Sequence, residues 1–214
     1  MQQVQIQKLS FAYFSTMKRI PLLITLSCIV ATFSFAQQKS AEEFQKETNE
    51  HFADADSSPL LKEELEHFKG LPFYKIDSQY IVTAKINRIE KLKPFKMKTT
   101  TDRRPEYVVY AIATFQLKGN KYKLNIYKSY GSSKPEYEDY LFLPFTDETS
   151  GNDTYGGGRF IDLRSTEGNE MVIDFNQAYN PYCAYNHVYS CPIPPKENHL
   201  NVRIEAGVKY ITKD

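Results

Sequence analysis

Cys183, His187 and Cys191 stand at four-residue intervals within DFNQAYNPYCAYNHVYSCPIPPKEN (Asp174–Asn198), a stretch that also holds four tyrosines, four asparagines and four prolines. Three chemistries are open to these residue types at this spacing. A thiolate at Cys183 or Cys191, with His187 or His199 as base and an oxyanion hole nearby, would be a nucleophile. On a helix all three side chains would share a face and could ligate zinc, but Pro181, Pro192 and the density of Asn and Tyr argue against a continuous helix, and a fourth ligand is wanting. Two cysteines in an oxidising compartment would instead close a disulfide across a short loop, contributing roughly 2.5 kcal/mol by chain entropy. Asn and Tyr supply directional hydrogen bonds while Pro fixes φ, so the segment reads as a rigid binding or catalytic loop.

A second chemistry lies in FTDETSGNDTYGGGR (Phe145–Arg159). Gly156, Gly157 and Gly158 free the backbone for positive φ and could turn successive amides toward a carboxylate, phosphate or sulfate, with Thr154 and Tyr155 flanking and Arg159 adding charge. The competing reading is a wide turn or bulge between two strands. Asp147, Glu148 and Asp153 lack the alternating spacing of a calcium loop, so neither a metal nor any other cofactor is expected. Asp162 and Asp174 could form a carboxylate pair if they end neighbouring strands, although aspartates there more often hydrogen-bond turns. The sequence contains no Gly-x-Ser-x-Gly elbow and no His-Glu-x-x-His motif.

Two kinds of element must position these residues. From Ser40 to Phe68 the chain is strongly charged, with Phe44, Phe52, Leu61, Leu65 and Phe68 at helix-compatible spacing. Asp56-Ser57-Ser58-Pro59 interrupts the pattern and is expected to cap a second short helix, which Gly70 and Pro72 end. Beyond Pro72 the period changes to two. Strands are predicted at Tyr80–Ile89, Tyr107–Leu117, Tyr122–Tyr130, Tyr140–Phe145, Arg159–Arg164, Glu170–Phe175 and Leu200–Ile211, with Lys118-Gly119-Asn120-Lys121 turning a hairpin. Strands without helices between them predict a mainly β (α+β) fold. Its antiparallel sheet is curled, barrel- or sandwich-like, with the N-terminal helical pair packed on it. Residues 37–72 would be the helical segment and 73–214 the β domain, together one globular unit. Lys93–Pro105, rich in Lys and Thr, reads as a mobile loop, and most tyrosines as half-buried strand residues.

Lys18–Gln38, KRIPLLITLSCIVATFSFAQQ, has two positive charges, an apolar run and a small-x-small site at Ser34-Phe35-Ala36, the pattern of a secretory leader. Residues 1–36 are therefore expected to be removed, with translation starting at Met1 or Met17 and the mature chain at Gln37. The apolar run is short for a membrane span, so no stable insertion is expected after cleavage. Lipid anchoring at Cys28 is disfavoured because Thr25-Leu26-Ser27 fits the required approach poorly. Removal of 1–36 takes away three positive charges and no negative ones, so the formal charge falls from +1 to −2. Such a chain has no electrostatic footprint for nucleic acid or an anionic membrane.

Several blocks then occur in a fixed order: Ser58-Pro59-Leu60, Phe68-Lys69-Gly70-Leu71, Phe145-x-Asp147-x-Thr149-x-Gly151, Thr154-Tyr155-Gly156-Gly157-Gly158-Arg159, Asp174-Phe175-Asn176-x-Ala178-Tyr179-Asn180-Pro181-x-Cys183-Ala184-Tyr185, Cys191-Pro192 and Ala206-Gly207. Together they resemble the family catalogued as domain of unknown function 1684, over most of the mature chain. The resemblance implies no activity. It implies a bacterial or archaeal source and, because some members look cytoplasmic, a reactive or ligand-contacting role for Cys183 and Cys191. His187 is not a fixed part of the family pattern, and Val208 stands where the family usually has Glu.

The combined reading is an exported protein that binds a small polar or anionic molecule between the Gly-rich loop and the Asn-Tyr-Pro-x-Cys segment. Arg159 and the amides of 154–158 would meet charge, Asn176, Asn180 and Asn198 would supply hydrogen bonds, and Tyr179, Tyr182 and Tyr185 would wall the pocket. The alternatives are a hydrolase using Asp162, Asp174 or Cys183, and a structural or interaction module in which both motifs shape loops.

Overall fold

The computed structural model describes residues 39–131 and 134–210, so the leader expected at 1–36 lies outside the described residues. Ser40 opens α1 (Ala41–Ala53) by accepting a hydrogen bond from the Glu43 amide at 3.1 Å, in the Ser-x-x-Glu spacing of a capping box. The second helix, α2 (Lys62–Leu65), is a single turn with Leu61 as its N-cap. Ser58 therefore does not cap it. Its hydroxyl donates to Phe52 O at 2.7 Å and accepts from Leu60 N at 3.2 Å, which ties the chain leaving α1 back onto that helix.

The strands are β1 (Ile81–Arg88), β2 (Phe95–Lys96), β3 (Glu106–Leu117), β4 (Asn120–Ser129), β5 (Tyr140–Asp147), β6 (Arg159–Arg164), β7 (Glu170–Asp174) and β8 (His199–Leu200). They form a curled half-barrel in the order β6-β5-β4-β3-β1-β7, with β2 on β3 and β8 on β5. Every pairing is antiparallel except β5 with β8. The β3–β4 hairpin turns at Lys118 (φ 48°) and Gly119 (φ 79°), the two positive φ values that let a two-residue loop follow the strand twist. Lys93–Pro105 is tied down rather than left as an open loop: β2 pairs with β3, and Met97 N donates to Pro105 O.

Alternation puts Ala84, Ala113, Ile126, Leu143, Ile161 and Ile173 on the inner face of the sheet, where Phe175, Ala178, Ile204 and Ala206 complete the core. A smaller cluster of Met97, Tyr127, Phe142 and Phe160, backed by Tyr140 and Tyr179, covers part of the other face. Between β4 and β5 only Tyr127 and Phe142 stand in register. The Asn198 side chain fills this gap like a strand residue: it accepts from Asn125 N at 2.9 Å and donates to Asn125 O at 2.8 Å and Pro144 O at 2.7 Å.

The strand expected at Leu200–Ile211 is confined to its first residue, which joins His199 in β8. Beyond it the chain crosses the inner face, bonded to Pro72 O and Ala178 O through the amides of Lys209 and Val208. Gly207 has φ +76°, and a Cβ there would stand 2.5 Å from Ala178 O, so this close crossing requires glycine.

Candidate functional site

The Gly-rich loop delivers Arg159 inward, not toward a ligand. Gly158 adopts φ +86°, and a Cβ at this position would come within 2.6 Å of Phe145 O, so only glycine closes the loop over β5. The Arg159 side chain is fully buried, 3.1 Å from the equally buried Asp147. Its guanidinium donates to Ile204 O at 2.8 Å, to Ala206 O, and to Val208 O at 3.5 Å. Asp147 accepts the Ile204 amide at 2.7 Å and the Thr149 hydroxyl at 2.8 Å. The buried ion pair thereby satisfies carbonyls of the 204–208 stretch, which belongs to no strand. Burial pushes the guanidinium below its ordinary range and Asp147 pushes it back up. This corrects the anion-site expectation, because the charge of Arg159 is already spent on Asp147 and three carbonyls. Thr154 is buried 2.9 Å from the Thr149 hydroxyl, Gly156 and Gly157 are exposed, and the Tyr155 ring packs edge-on against Tyr210.

A cavity of about 470 Å³ lies instead between α1 and the Tyr179–Pro192 stretch. Phe44, Thr48, His51 and Phe52 reach it from α1 at i, i+4, i+7 and i+8, the spacing of one helix face. Phe160, Tyr179, Tyr182, Tyr185 and Tyr189 form the opposite wall. Pro181 (ψ 151°) starts the short turn Tyr182–Ala184 and aims Tyr182 at α1, where its hydroxyl is 2.9 Å from His51 Nε2 and the rings stack at 5.9 Å. Phe52 meets Tyr185 edge-on at 4.9 Å.

Two oxygens at this cavity have acceptor capacity to spare. Asp162 lies on the outer face of β6, and its Oδ1 accepts the hydroxyls of Tyr140 at 2.7 Å and Tyr179 at 2.8 Å, while its Oδ2 accepts none among the described residues. Burial, then the charge of Asp162, pushes both tyrosine hydroxyls up, so they stay donors. Asn180 is 2 % exposed. Its amide nitrogen donates to Tyr185 Oη at 3.1 Å and Lys209 O at 3.2 Å, yet its buried Oδ1 has no partner. A buried unpartnered acceptor costs about 1–3 kcal/mol, and this oxygen is closed off from the cavity, so a donor would recover that energy only after a local shift that opened it. The one lysine at the cavity, Lys39, is paired with Glu47.

Cys191 lines the cavity and Cys183 lies directly behind it. Both are buried free thiols in this structure, so the expected disulfide is not formed. The Cys183 amide donates to Cys191 Sγ at 3.2 Å, and the Cys191 amide donates to Thr100 Oγ1 at 3.1 Å. A hydrogen bond from the Cys191 thiol, helped by the Thr100 and Tyr155 hydroxyls, outweighs burial and brings Cys183 down to about 7. The same thiol–thiol bond, then burial, pushes Cys191 up.

The remaining expected site residues serve the fold. Asn176 is buried and bonds Asp77 through both its backbone groups, and Asn198 bridges β4 and β5. Asp174 is buried beneath the Phe175–Gln177 turn and accepts from Asn176 and Gln177. Asp162 lies on β6 and Asp174 ends β7, the two ends of the sheet order, so they do not sit on neighbouring strands as the carboxylate-pair reading expected. His187 is exposed and His199 pairs with Thr146 at 3.0 Å, so neither is a base for a thiol. Among the described residues no three His, Cys, Asp or Glu side chains are grouped to hold a metal ion. Sequence reasoning missed the α1 face of the cavity. The signal was present in the Phe44, Thr48, His51 and Phe52 spacing, hidden among charges that were read as a solvated surface.

No curated protein matches this chain. The solution NMR structure of an uncharacterized protein from Haloarcula marismortui is similar at 32% identity with a TM-score of 0.62, over 78% of this chain and 90% of that one. The model of a family described as Protein of unknown function (DUF1684) matches residues 66–209. That match spans well over half of the sequence, and the chain belongs to this family.

Proposed function

We propose that this protein binds a small organic amine, with an apolar or aromatic body, in the cavity between α1 and the Tyr179–Pro192 stretch. The observation that carries the reading is the carboxylate of Asp162, whose Oδ1 is held by two tyrosine hydroxyls while its Oδ2 is open, in an aromatic-walled space that Asn180 also lines. Aromatic faces attract ammonium groups, and the exposed Asp162 carboxylate beside them adds an opposite charge. Among the described residues that line the cavity the one lysine, Lys39, is paired with Glu47, so an anion would meet the same carboxylate with nothing to offset it. The polar ligand expected from the Asn-Tyr-Pro-x-Cys segment is thus kept, and the anionic one is set aside.

The leader pattern at 18–36 makes the cell envelope or exterior the proposed place of work, and among the described residues no helix is long and apolar enough to cross a membrane. A thermal-shift comparison of small amines with the matching carboxylates tests the reading. Amines are expected to raise the melting temperature, and Asp162→Asn should weaken their binding by roughly tenfold or more, the worth of a charged hydrogen bond. Stabilisation by carboxylates alone, or amine binding that Asp162→Asn leaves intact, would overturn it.

A further inference from the structure

The two cysteines carry an inference that the amine cavity does not require. Inert buried cysteines sit among apolar groups, whereas here the Cys183 amide donates to Cys191 Sγ at 3.2 Å and the Cys191 amide donates to Thr100 Oγ1 at 3.1 Å, so the pair stands in polar surroundings. The chain on both sides of Cys191 is pinned: Thr100 N donates to Cys191 O at 2.9 Å, Ile193 N donates to Lys98 O at 2.9 Å, and Thr99 bridges Pro192. Cys191 Sγ is thereby held 3.2 Å from the Cys183 amide, which places the two cysteines side by side. Cys191 also lines the 470 Å³ cavity, so a small molecule has a route to the pair.

We propose that Cys183 and Cys191 form a redox-active dithiol that a small hydroperoxide oxidises to a disulfide, with Cys183 attacking and Cys191 resolving. In the first step the Cys183 thiolate attacks the terminal peroxide oxygen and the O–O bond breaks. Sulfur is oxidised to the sulfenic acid, and the departing oxygen leaves as water or an alcohol after taking up one proton. In the second step Cys191 sulfur attacks Cys183 sulfur, the S–O bond breaks, and hydroxide leaves as water with the proton of the Cys191 thiol. The sum is two thiols and one hydroperoxide giving one disulfide, one water and one water or alcohol.

The test uses the reduced protein, hydrogen peroxide as the oxidant, and intact mass. One equivalent at neutral pH is expected to lower the mass by about 2 Da and abolish alkylation, and dithiothreitol should restore both thiols without unfolding. Cys191→Ser should stop at the sulfenic acid and give a dimedone adduct on Cys183, while Cys183→Ser should give none. If Cys191→Ser does not fold, partial alkylation of the wild-type protein with peptide mapping replaces it, and Cys183 must label first, half-maximally near pH 7. Labelling of Cys191 first, no dimedone adduct in a folded Cys191→Ser protein, or a disulfide that dithiothreitol cannot reach in the folded state would overturn the proposal.

Discussion

Replacing Arg159 by Met separates a fold-holding guanidinium from a ligand-binding one. The substitution keeps most of the side-chain volume and removes the charge and the donors. It leaves the Asp147 carboxylate, whose side chain is 0% exposed, without its cation, and leaves Ile204 O, Ala206 O and Val208 O without their donors. Breaking a buried pair from one side costs about 3–5 kcal/mol, and the freed carbonyls add to that where water cannot reach them. Total stabilities are about 5–15 kcal/mol, so the loss is a large part of what holds the chain together. For a domain of this size it corresponds to a fall in Tm of about 6–20 °C. Circular dichroism melts of wild-type and Arg159→Met protein, with thiols reduced in both, measure it. The double variant Asp147→Leu/Arg159→Met should recover part of the loss, because no buried charge is then left alone. A single variant melting within about 2 °C of wild type would refute the reasoning.

Asn198→Ala removes three hydrogen bonds between β4 and β5 and should cost about 2–4 kcal/mol, read as a lower midpoint in urea at unchanged slope. Gly158→Ala puts a methyl group 2.6 Å from Phe145 O and should lower the yield of folded protein far more than Gly156→Ala, whose Cβ would meet nothing nearer than 3.5 Å. Tyr140 and Tyr179 have folded-state pKa values above their ordinary 10.0, so the folded state holds protons that the unfolded state releases. Stability should therefore fall as pH rises above about 10, and urea midpoints across pH 8–11 would test that sign. Intact mass of the exported protein should begin at Gln37, and a mass that retains residues 18–36 would contradict the leader.

The hairpin at Lys118-Gly119 and the alternation of β1, β3 and β4 were legible because local turn chemistry and period-two burial specify them together. The segment 200–211 misled for a physical reason. Val202, Ile204, Ala206 and Val208 alternate as a strand does, but the chain bends at Gly207 and its carbonyls and amides bond to the buried Arg159 and to scattered loop backbone, not to a neighbouring strand. Sequence charge patterns are read by default as surface, so a buried Asp147–Arg159 pair twelve positions apart leaves no local trace. Pro and Asn made the segment of Tyr179, Tyr182 and Tyr185 conspicuous, and these three line a cavity, but one faced by α1 and not by the Gly-rich loop. Their partners on α1 were not conspicuous, since Phe44 and Phe52 look like ordinary helix packing until the facing loop is in place. The cysteine spacing allowed a disulfide, a metal site or a nucleophile alike. Only the fold sets the two free thiols side by side, with the Cys183 amide on Cys191 Sγ, away from any third metal-ligating side chain among the described residues.

The most direct test of the amine cavity is amide chemical-shift mapping of the isotope-labelled protein with benzylammonium and, separately, benzoate, two probes of similar size and opposite charge. Saturable shifts with benzylammonium clustered at Phe44–Phe52, Asp162 and Tyr179–Tyr185, and absent with benzoate, are the predicted result. Shifts at those residues with benzoate but not benzylammonium, or none there with either, would contradict the account.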